Sequence, residues 1–472
     1  MIYPLFFLFI AVSTLLALNN WRLGIYLMII AGMLQDPVRK MMPGAPGWMV
    51  LAFTPIFFAL VAGLFLRGRP WAQFLSANPA LPRRIHFFIV SLVLAFMVLL
   101  VNYGFGAWKV AIIGMIAYLF PLVAVAVGYW FLDHVDDVRR LVMFYCGASA
   151  VMLIGGLLEH WDVYPGWPAL GTDVLGMEWI RHVPGYIVDL TSGFYRSPDI
   201  LGWHAALLVM FSTVMSLLAK SPPARLIWLG MIAWGLVVLL MSGRNKMIFM
   251  PVVFLSVVVL AYMYKGNVSR SLTILLAGVL GIGLFWLINS QVQLDQEYFL
   301  YVEEGTLATP ERLKTHGILS VWTTFQQSGF FGEGLGSAST GARFGGATSI
   351  KTWQESGSSK LMVELGVIGV VAVMLLGLTV LQWLLRMLRA MPDQLQEGLW
   401  FIGLLGILAA NSASFLISHQ AFGDPFIVTM TGFFFGLALS APRWLSAGSS
   451  KMRAQPELSL GPDARNTQRP AR

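Results

Sequence analysis

The sequence predicts an all-α fold, a polytopic integral-membrane helical bundle, and three observations predict it. Hydrophobic side chains make up 57% of the 472 residues and charged ones 11%, against roughly 25% charged in an ordinary soluble domain, which excludes a soluble globular enzyme. Thirteen apolar stretches of about 14 to 25 residues recur along the chain, most of them near the ~20 residues a helix needs to cross the hydrocarbon core. Stretches such as 141–158 and 361–385 are apolar nearly throughout, whereas a membrane β-barrel alternates apolar and polar residues in segments of about ten.

In chain order the predicted spans are 2–18, 21–34, 48–66, 85–103, 110–131, 141–158, 199–219, 226–241, 247–264, 272–288, 361–385, 399–418 and 425–441. The first has no Lys or Arg ahead of its apolar core and no small-residue cleavage site, so it reads as a retained span. The second is the shortest and reads as a candidate re-entrant segment. Together they predict about 12–13 transmembrane helices in one membrane domain, residues 1–441. The Ser-, Pro- and Gly-rich tail 442–472 reads as disordered and cytoplasmic.

Placing the N-terminus outside puts thirteen Lys and Arg in the inner short loops: Arg22, Arg67, Arg69, Arg83, Arg84, Arg139, Arg140, Lys220, Arg225, Lys265, Arg270, Arg386 and Arg389. The outer short loops then hold five, Arg39, Lys40, Lys109, Arg244 and Lys246. Only this orientation satisfies the positive-inside rule. It also accounts for the excess of 31 Lys and Arg over 23 Asp and Glu without a nucleic-acid partner. The single Cys146 lies inside an apolar run and reads as packing.

Two loops are far longer than the rest, 159–199 and 289–360, and both fall on the outer side. Long loops in a compact bundle are usually functional. In the second, Thr309-Pro310-Glu311 is a helix start, followed by Leu313, Gly317, Val321 and Phe325 at helical spacing. That pattern fits either a plain amphipathic surface helix or a lid over a site.

Charge near membrane depth costs a few kcal/mol or more, so the informative residues are the charges that break the orientation rule. Arg244 and Lys246 do so in the turn Ser242-Gly243-Arg244-Asn245-Lys246. The turn reads either as an anion site, with the Arg244 fork on a phosphate, or as a snorkelling turn among lipid headgroups. A second cluster, Arg196-Ser197-Pro198-Asp199 through His204, sits where the first long loop meets the seventh span. Pro198 is placed to start that helix, whose N-terminal amides favour an anion. Asp199 and His204 are five positions apart and do not share a helical face, which argues against a paired acid and base. His204 reads equally as an interhelical hydrogen bonder or a catalytic group.

A third region runs through Gly332, Gly334 and Gly336, then Glu355 and Ser356 to Lys360, into a span carrying Glu364. The glycines fit phosphate binding or close packing. Glu355 is the better general base of the two carboxylates, and Glu364, inside an apolar run, the better structural partner for an arginine. No spacing of His, Cys, Asp or Glu points to a metal: Asp136-Asp137 lies beside Arg139 and Arg140 as a solvated run, and no cofactor is expected.

The order Ser-Gly-Arg244, then Gly332-Xaa-Gly334-Xaa-Gly336, then Glu364-Leu365-Gly366-Val367-Ile368-Gly369 resembles the O-antigen ligase and O-antigen polymerase superfamily over residues 195–370. The resemblance implies a bacterial inner-membrane glycosyltransferase of exopolysaccharide and cell-envelope biosynthesis. It implies a donor glycan on undecaprenyl pyrophosphate, used at the periplasmic face without metal or nucleotide sugar, with polysaccharide export and chain-length proteins as partners. Arg244 and Arg196 match the family's basic residues and would hold the pyrophosphate, with Lys246 and Glu364 beside them. Glu355, Asp199 and His204 are the candidates for acid-base work. The ligases place a histidine shortly before the Glu-Xaa-Gly stretch, where this chain has Ser356 to Lys360, and His316 comes too early to replace it. The departure favours a polymerase, or a relative acting on an exported polysaccharide, over ligase-type transfer. A transporter or flippase for a lipid-linked glycan is the competing class, expected to carry its charges at the membrane midplane in broken helices. A non-catalytic scaffold of an export complex is a third reading.

Overall fold

In the computed structural model the described residues are 2–68, 71–77, 79–163, 167–171, 179–183, 186–269, four positions between 271 and 278, 319–339, 354–391 and 396–444. They form an all-α polytopic bundle in which ten helical segments are long and apolar enough to cross a membrane. Most of the segment 272–288, the helix start at 309–311 and the tail beyond 444 lie outside the described residues.

The helices are α1 (Ile2–Asn19), α2 (Trp21–Met41), α3 (Thr54–Leu66), the short α4 (Trp71–Ala77), α5 (Leu81–Tyr103), α6 (Trp108–Phe131), α7 (Val135–Met152) and the short α8 (Ile154–His160). After the first long loop come α9 (Pro198–Leu218), α10 (Pro222–Met241) and α11 (Asn245–Tyr264). The set closes with α12 (Leu319–Ser328), α13 (Gly357–Ala390), α14 (Gln396–Ile417) and α15 (Pro425–Leu439). One antiparallel hairpin interrupts them in the first long loop, β1 (Ile180–Val183) with β2 (Tyr186–Asp189).

One boundary corrects the sequence reading. The span expected at 21–34 continues to Met41, because Asn20 caps its start and Pro37 is accommodated inside the helix. Its 21 residues rise about 31 Å at ~1.5 Å each, a crossing length, although the charges of its last turns keep it out of the ten segments that are also apolar enough. Arg39 and Lys40, expected in an outer loop, are therefore its last turn, and both are buried.

Helix α9 is the axis of the bundle, with 89% of its span buried, where α10 has 17%. It packs against α7, α10, α11 and α14, and Trp203 donates its indole N–H to Asn411 of α14 at 2.8 Å. Beside this core α15 lies tightly along α6. Gly432 and Gly436, four apart on α15, press against Pro121 and Val125: a Cβ on either would stand 2.2 or 2.1 Å from a carbonyl oxygen of α6. Small residues one turn apart permit such backbone approach where lipid supplies no hydrophobic drive between helices.

Helix α13 is broken at Gly366, whose φ of 64° and ψ of −169° are not helical. The 24 residues from 367 to 390 rise about 36 Å and cross a ~30 Å core by themselves. Residues 357–365 therefore form a short half-helix at one end of the span. The glycine-rich loop fills the break: Val367 N–H donates to Phe330 O at 2.9 Å, Glu333 N–H to Val363 O at 2.7 Å and Leu335 N–H to Ala95 O at 3.0 Å. Non-helical backbone at this depth needs such protein partners. Of the two uses open to Gly332, Gly334 and Gly336, the described contacts are packing ones, with all three at positive φ against neighbouring backbone.

Gly334, at φ 105°, has Leu99 N only 2.4 Å from where a Cβ would stand. Gly334→Ala is expected to destabilise the protein by about 1–3 kcal/mol through overpacking, read as a lower melting temperature in detergent; an unchanged melting temperature would show that the loop does not pack there.

Candidate functional site

The charged residues that the apolar sequence isolates meet at one end of the bundle. The N-termini of α9, α11, α13 and α15 and the C-termini of α2, α10 and α14 lie there, so the first four helices turn their positive ends toward the same region. Among the described residues, six cations are buried or nearly buried in it, Arg39, Lys40, Arg196, Arg244, Lys246 and Lys360, with four carboxylates, Asp36, Asp199, Glu364 and Asp424.

Arg196 stands between two of the acids. Its guanidinium is 3.0 Å from Asp36 Oδ1 and 2.6 Å from Asp424 Oδ2. Burial opposes its charge, but the two carboxylates overcome that and raise its pKa above the ordinary arginine value. Asp424 also caps α15, accepting the N–H groups of Phe426 and Ile427 at 2.6 and 3.1 Å. Its own pKa is pushed up by burial, against the pull of Arg196. Lys40 ties the loop before α9 to α2, donating to the carbonyls of Gly193 and Tyr195 at 2.8 and 2.6 Å. Glu159 receives the backbone N–H groups of Ser192 and Gly193 from the other side.

Asp199 holds the second group. Pro198 starts α9 as expected, which places Asp199 in the first turn. Its carboxylate is 3.0 Å from Arg244 Nη2 and 2.6 Å from Lys246 Nζ. Gly243, at φ 62°, spends its amide on Leu240 O at 2.9 Å, and Arg244 then caps α11 with its side chain inside the protein, 3% exposed. That exposure removes the snorkelling reading. Trp179, at the foot of the hairpin, covers the guanidinium with its ring centroid 4.7 Å from Cζ. Lys246 reaches on to Ser418 Oγ at 2.7 Å and Gln420 Oε1 at 3.0 Å.

Lys360 and Glu364 form the third group, one turn apart on the half-helix, 3.0 Å between Nζ and Oε1. Tyr118 donates to Glu364 Oε2 at 2.6 Å and Ser339 to Oε1 at 2.8 Å, while Lys360 donates to Ser339 Oγ at 2.7 Å. Glu364 is thus a structural partner as expected, but of a lysine; the arginine expected there is committed to Asp199 or to Asp36 and Asp424.

His419 joins the second and third groups. Its neighbours Ser418 and Gln420 hold Lys246, its backbone N–H donates to Glu355 O at 3.0 Å, and its Nε2 lies 2.6 Å from Gln354 O. Burial first, then the nearby charges of Lys360 and Lys246, lower its pKa to about 3. Glu355, beside it, is exposed.

The structure thus gathers Asp199, Arg244 and Lys246, sets Arg196 and Glu364 in adjoining groups, and leaves Glu355 at the solvent edge. His204 is apart from the ion pairs. It stacks on Tyr195 at 4.6 Å between ring centroids and bonds Tyr145 OH through Nδ1 at 2.8 Å, the interhelical role that was one of its two readings. Sequence reasoning missed Asp36, Asp424, Lys360 and His419. The Asp424-Pro425 helix start and the charges ending α2 were the available signals. Compared with known proteins, the chain matches no protein-family model and no curated protein.

Two measurements test this arrangement. Asp199→Asn leaves two buried cations without their counter-charge and is expected to cost about 3–5 kcal/mol, read by unfolding in detergent; a cost near zero would mean water already screens the pair. Folded His419 takes its proton only near pH 3, whereas an unfolded histidine takes it near 6.5. Its contribution to stability is therefore complete above about pH 6.5 and is lost progressively as pH falls toward 3. Wild type should lose more stability than His419→Gln between pH 7 and 4, and parallel losses would contradict the buried neutral ring.

Proposed function

We propose that this protein is a membrane glycosyltransferase that polymerises glycan repeat units carried on undecaprenyl pyrophosphate, working at the outer face of the bacterial inner membrane. The observation that carries the reading is the excess of buried cations where four helix N-termini converge. Such an end attracts a ligand of high negative charge, and a polyprenyl diphosphate places its phosphates at the depth where a membrane-spanning helix ends. The sidedness follows from the exposed cations at the opposite helix ends, such as Arg139 and Arg140, which the positive-inside rule assigns to the cytoplasm.

In this reading Arg244 and Lys246, with Arg196 and Lys360 beside them, neutralise the charge that develops on the leaving diphosphate as the bond to the anomeric carbon breaks. An acceptor hydroxyl attacks from the opposite face, with inversion. Asp199 preorganises the two cations of α11, so that little reorganisation remains at the moment of reaction. Transfer to a different acceptor, as in the ligases, uses the same donor site and differs in what docks above it.

The broken helix α13 favours a second reading, a flippase or transporter for the same lipid. Its break lies at the end of a complete span, however, and the ion pairs lie within about two turns of the helix ends, whereas a translocation site belongs near the midplane.

Purified protein supplied with lipid-linked oligosaccharide should release free undecaprenyl pyrophosphate, which a transporter never does. Arg244→Ala should slow that release by about 10²–10³-fold, the effect of removing one preorganised donor. Arg244→Lys should be impaired too, because a point charge does not reproduce the guanidinium fork. Unimpaired release in Arg244→Ala that remains folded would remove Arg244 from the site.

A further inference from the structure

We propose that His419 is the catalytic base of this site, its Nδ1 taking the proton of the acceptor hydroxyl. The inference rests on the glycosyl-transfer reading and names a residue within it. Among the described residues, every buried carboxylate at this end is occupied by a cation: Asp36 and Asp424 by Arg196, Asp199 by Arg244 and Lys246, Glu364 by Lys360. His204 has given Nδ1 to Tyr145 and lies within a stack of rings. His419 is different. The contact of its Nε2 with Gln354 O, at 2.6 Å, requires that nitrogen to carry the hydrogen, so in the neutral ring Nδ1 presents a lone pair. Nδ1 is buried and takes no hydrogen bond from any other described residue, its one polar interaction being with the backbone of His419 itself, so it is left short of a donor. A sugar hydroxyl is such a donor.

The ring is held for this work from two sides. The carbonyl of Gln354 fixes its tautomer and orientation, the part that a third group plays for a catalytic base. The backbone of residues 418–420 is pinned to Glu355 O and, through Ser418 and Gln420, to Lys246. The charged groups around it are Lys246 on α11, Lys360 on α13 and the exposed Glu355, with Asp199 and Glu364 behind the two lysines. With no donor bound, burial and the lysine charges keep the ring unprotonated. A pyrophosphate beside Lys246 and Lys360 offsets those charges and raises the proton affinity of Nδ1, so the base gains strength only when the donor is in place.

The step balances. The hydroxyl O–H breaks, its proton goes to Nδ1 and its electron pair forms the new C1–O bond. The bond from C1 to the diphosphate oxygen breaks with its pair remaining on the diphosphate. The imidazolium then returns its proton to water.

The test compares wild type and His419→Gln, whose amide can keep the bond to Gln354 O while removing Nδ1, with lipid-linked oligosaccharide as donor and acceptor. His419→Gln is expected to retain donor binding and wild-type folding while kcat falls about 10²–10⁴-fold. Wild-type kcat should fall on the acid side as the base protonates, and the residual activity of His419→Gln should lack that limb. Equal kcat in a folded His419→Gln overturns the assignment, as does loss of the acid limb in Glu355→Gln, a measurement that stands even where His419→Gln fails to fold. Wild-type protein that releases no undecaprenyl pyrophosphate overturns the glycosyl-transfer reading itself, a separate outcome from an active wild type unaffected at His419.

Discussion

An ionised side chain removed from water must be given a counter-charge or hydrogen bonds in return, and this constraint organises the end of the bundle that carries the site. Asp199 illustrates it. The residue is 1% exposed in the first turn of the most buried helix, so α11 must start where Arg244 and Lys246 can reach it. That requirement fixes the α10–α11 turn against α9. Arg196 does the same for α2 and α15 through Asp36 and Asp424, and Lys360 with Glu364 for the half-helix of α13 through Tyr118. The ion pairs are therefore also the contacts that set the relative heights of the helices.

Close backbone approach supplies the complementary constraint. Gly432 and Gly436 let α15 lie on α6, and the loop through Gly334 replaces helical hydrogen bonds where Gly366 breaks α13. Without the break the first turns of α13 would continue the long span in a straight line. With it, Lys360 and Glu364 turn against Ser339 and Tyr118, and Gln354 is brought to His419.

Pairing has a chemical consequence. The cations are already held by carboxylates, so under the proposed glycosyl-transfer reading a diphosphate would compete with Asp199 and Asp424 for the same donors and gain only the difference. A site of that kind would discriminate by charge: a dianion or trianion could compete where a single carboxylate could not, with the aligned helix ends favouring the more highly charged ligand. The same competition leaves the arginines fixed in place before any ligand arrives.

The sequence alone determined the membrane class, nearly every span, the helix start at Pro198 and the singular position of Arg244 and Lys246. Each of these is a local property: apolar length, a proline at a first turn, two cations in a short turn between apolar runs. Tertiary structure decided the rest. Asp36 and Arg196 are 160 positions apart, and Lys246 and Ser418 are 172, so no spacing or periodicity links them. Arg39 and Lys40 read as loop charges until α2 proved long enough to bury them. His419 stood in a short connector with nothing local to mark it, because what distinguishes it is a carbonyl from 65 positions away on one nitrogen and, on the other, a lone pair that no other described residue meets. Local patterns are set by how each segment meets lipid, water and its own backbone, whereas partners for buried charge are chosen only when distant segments pack together.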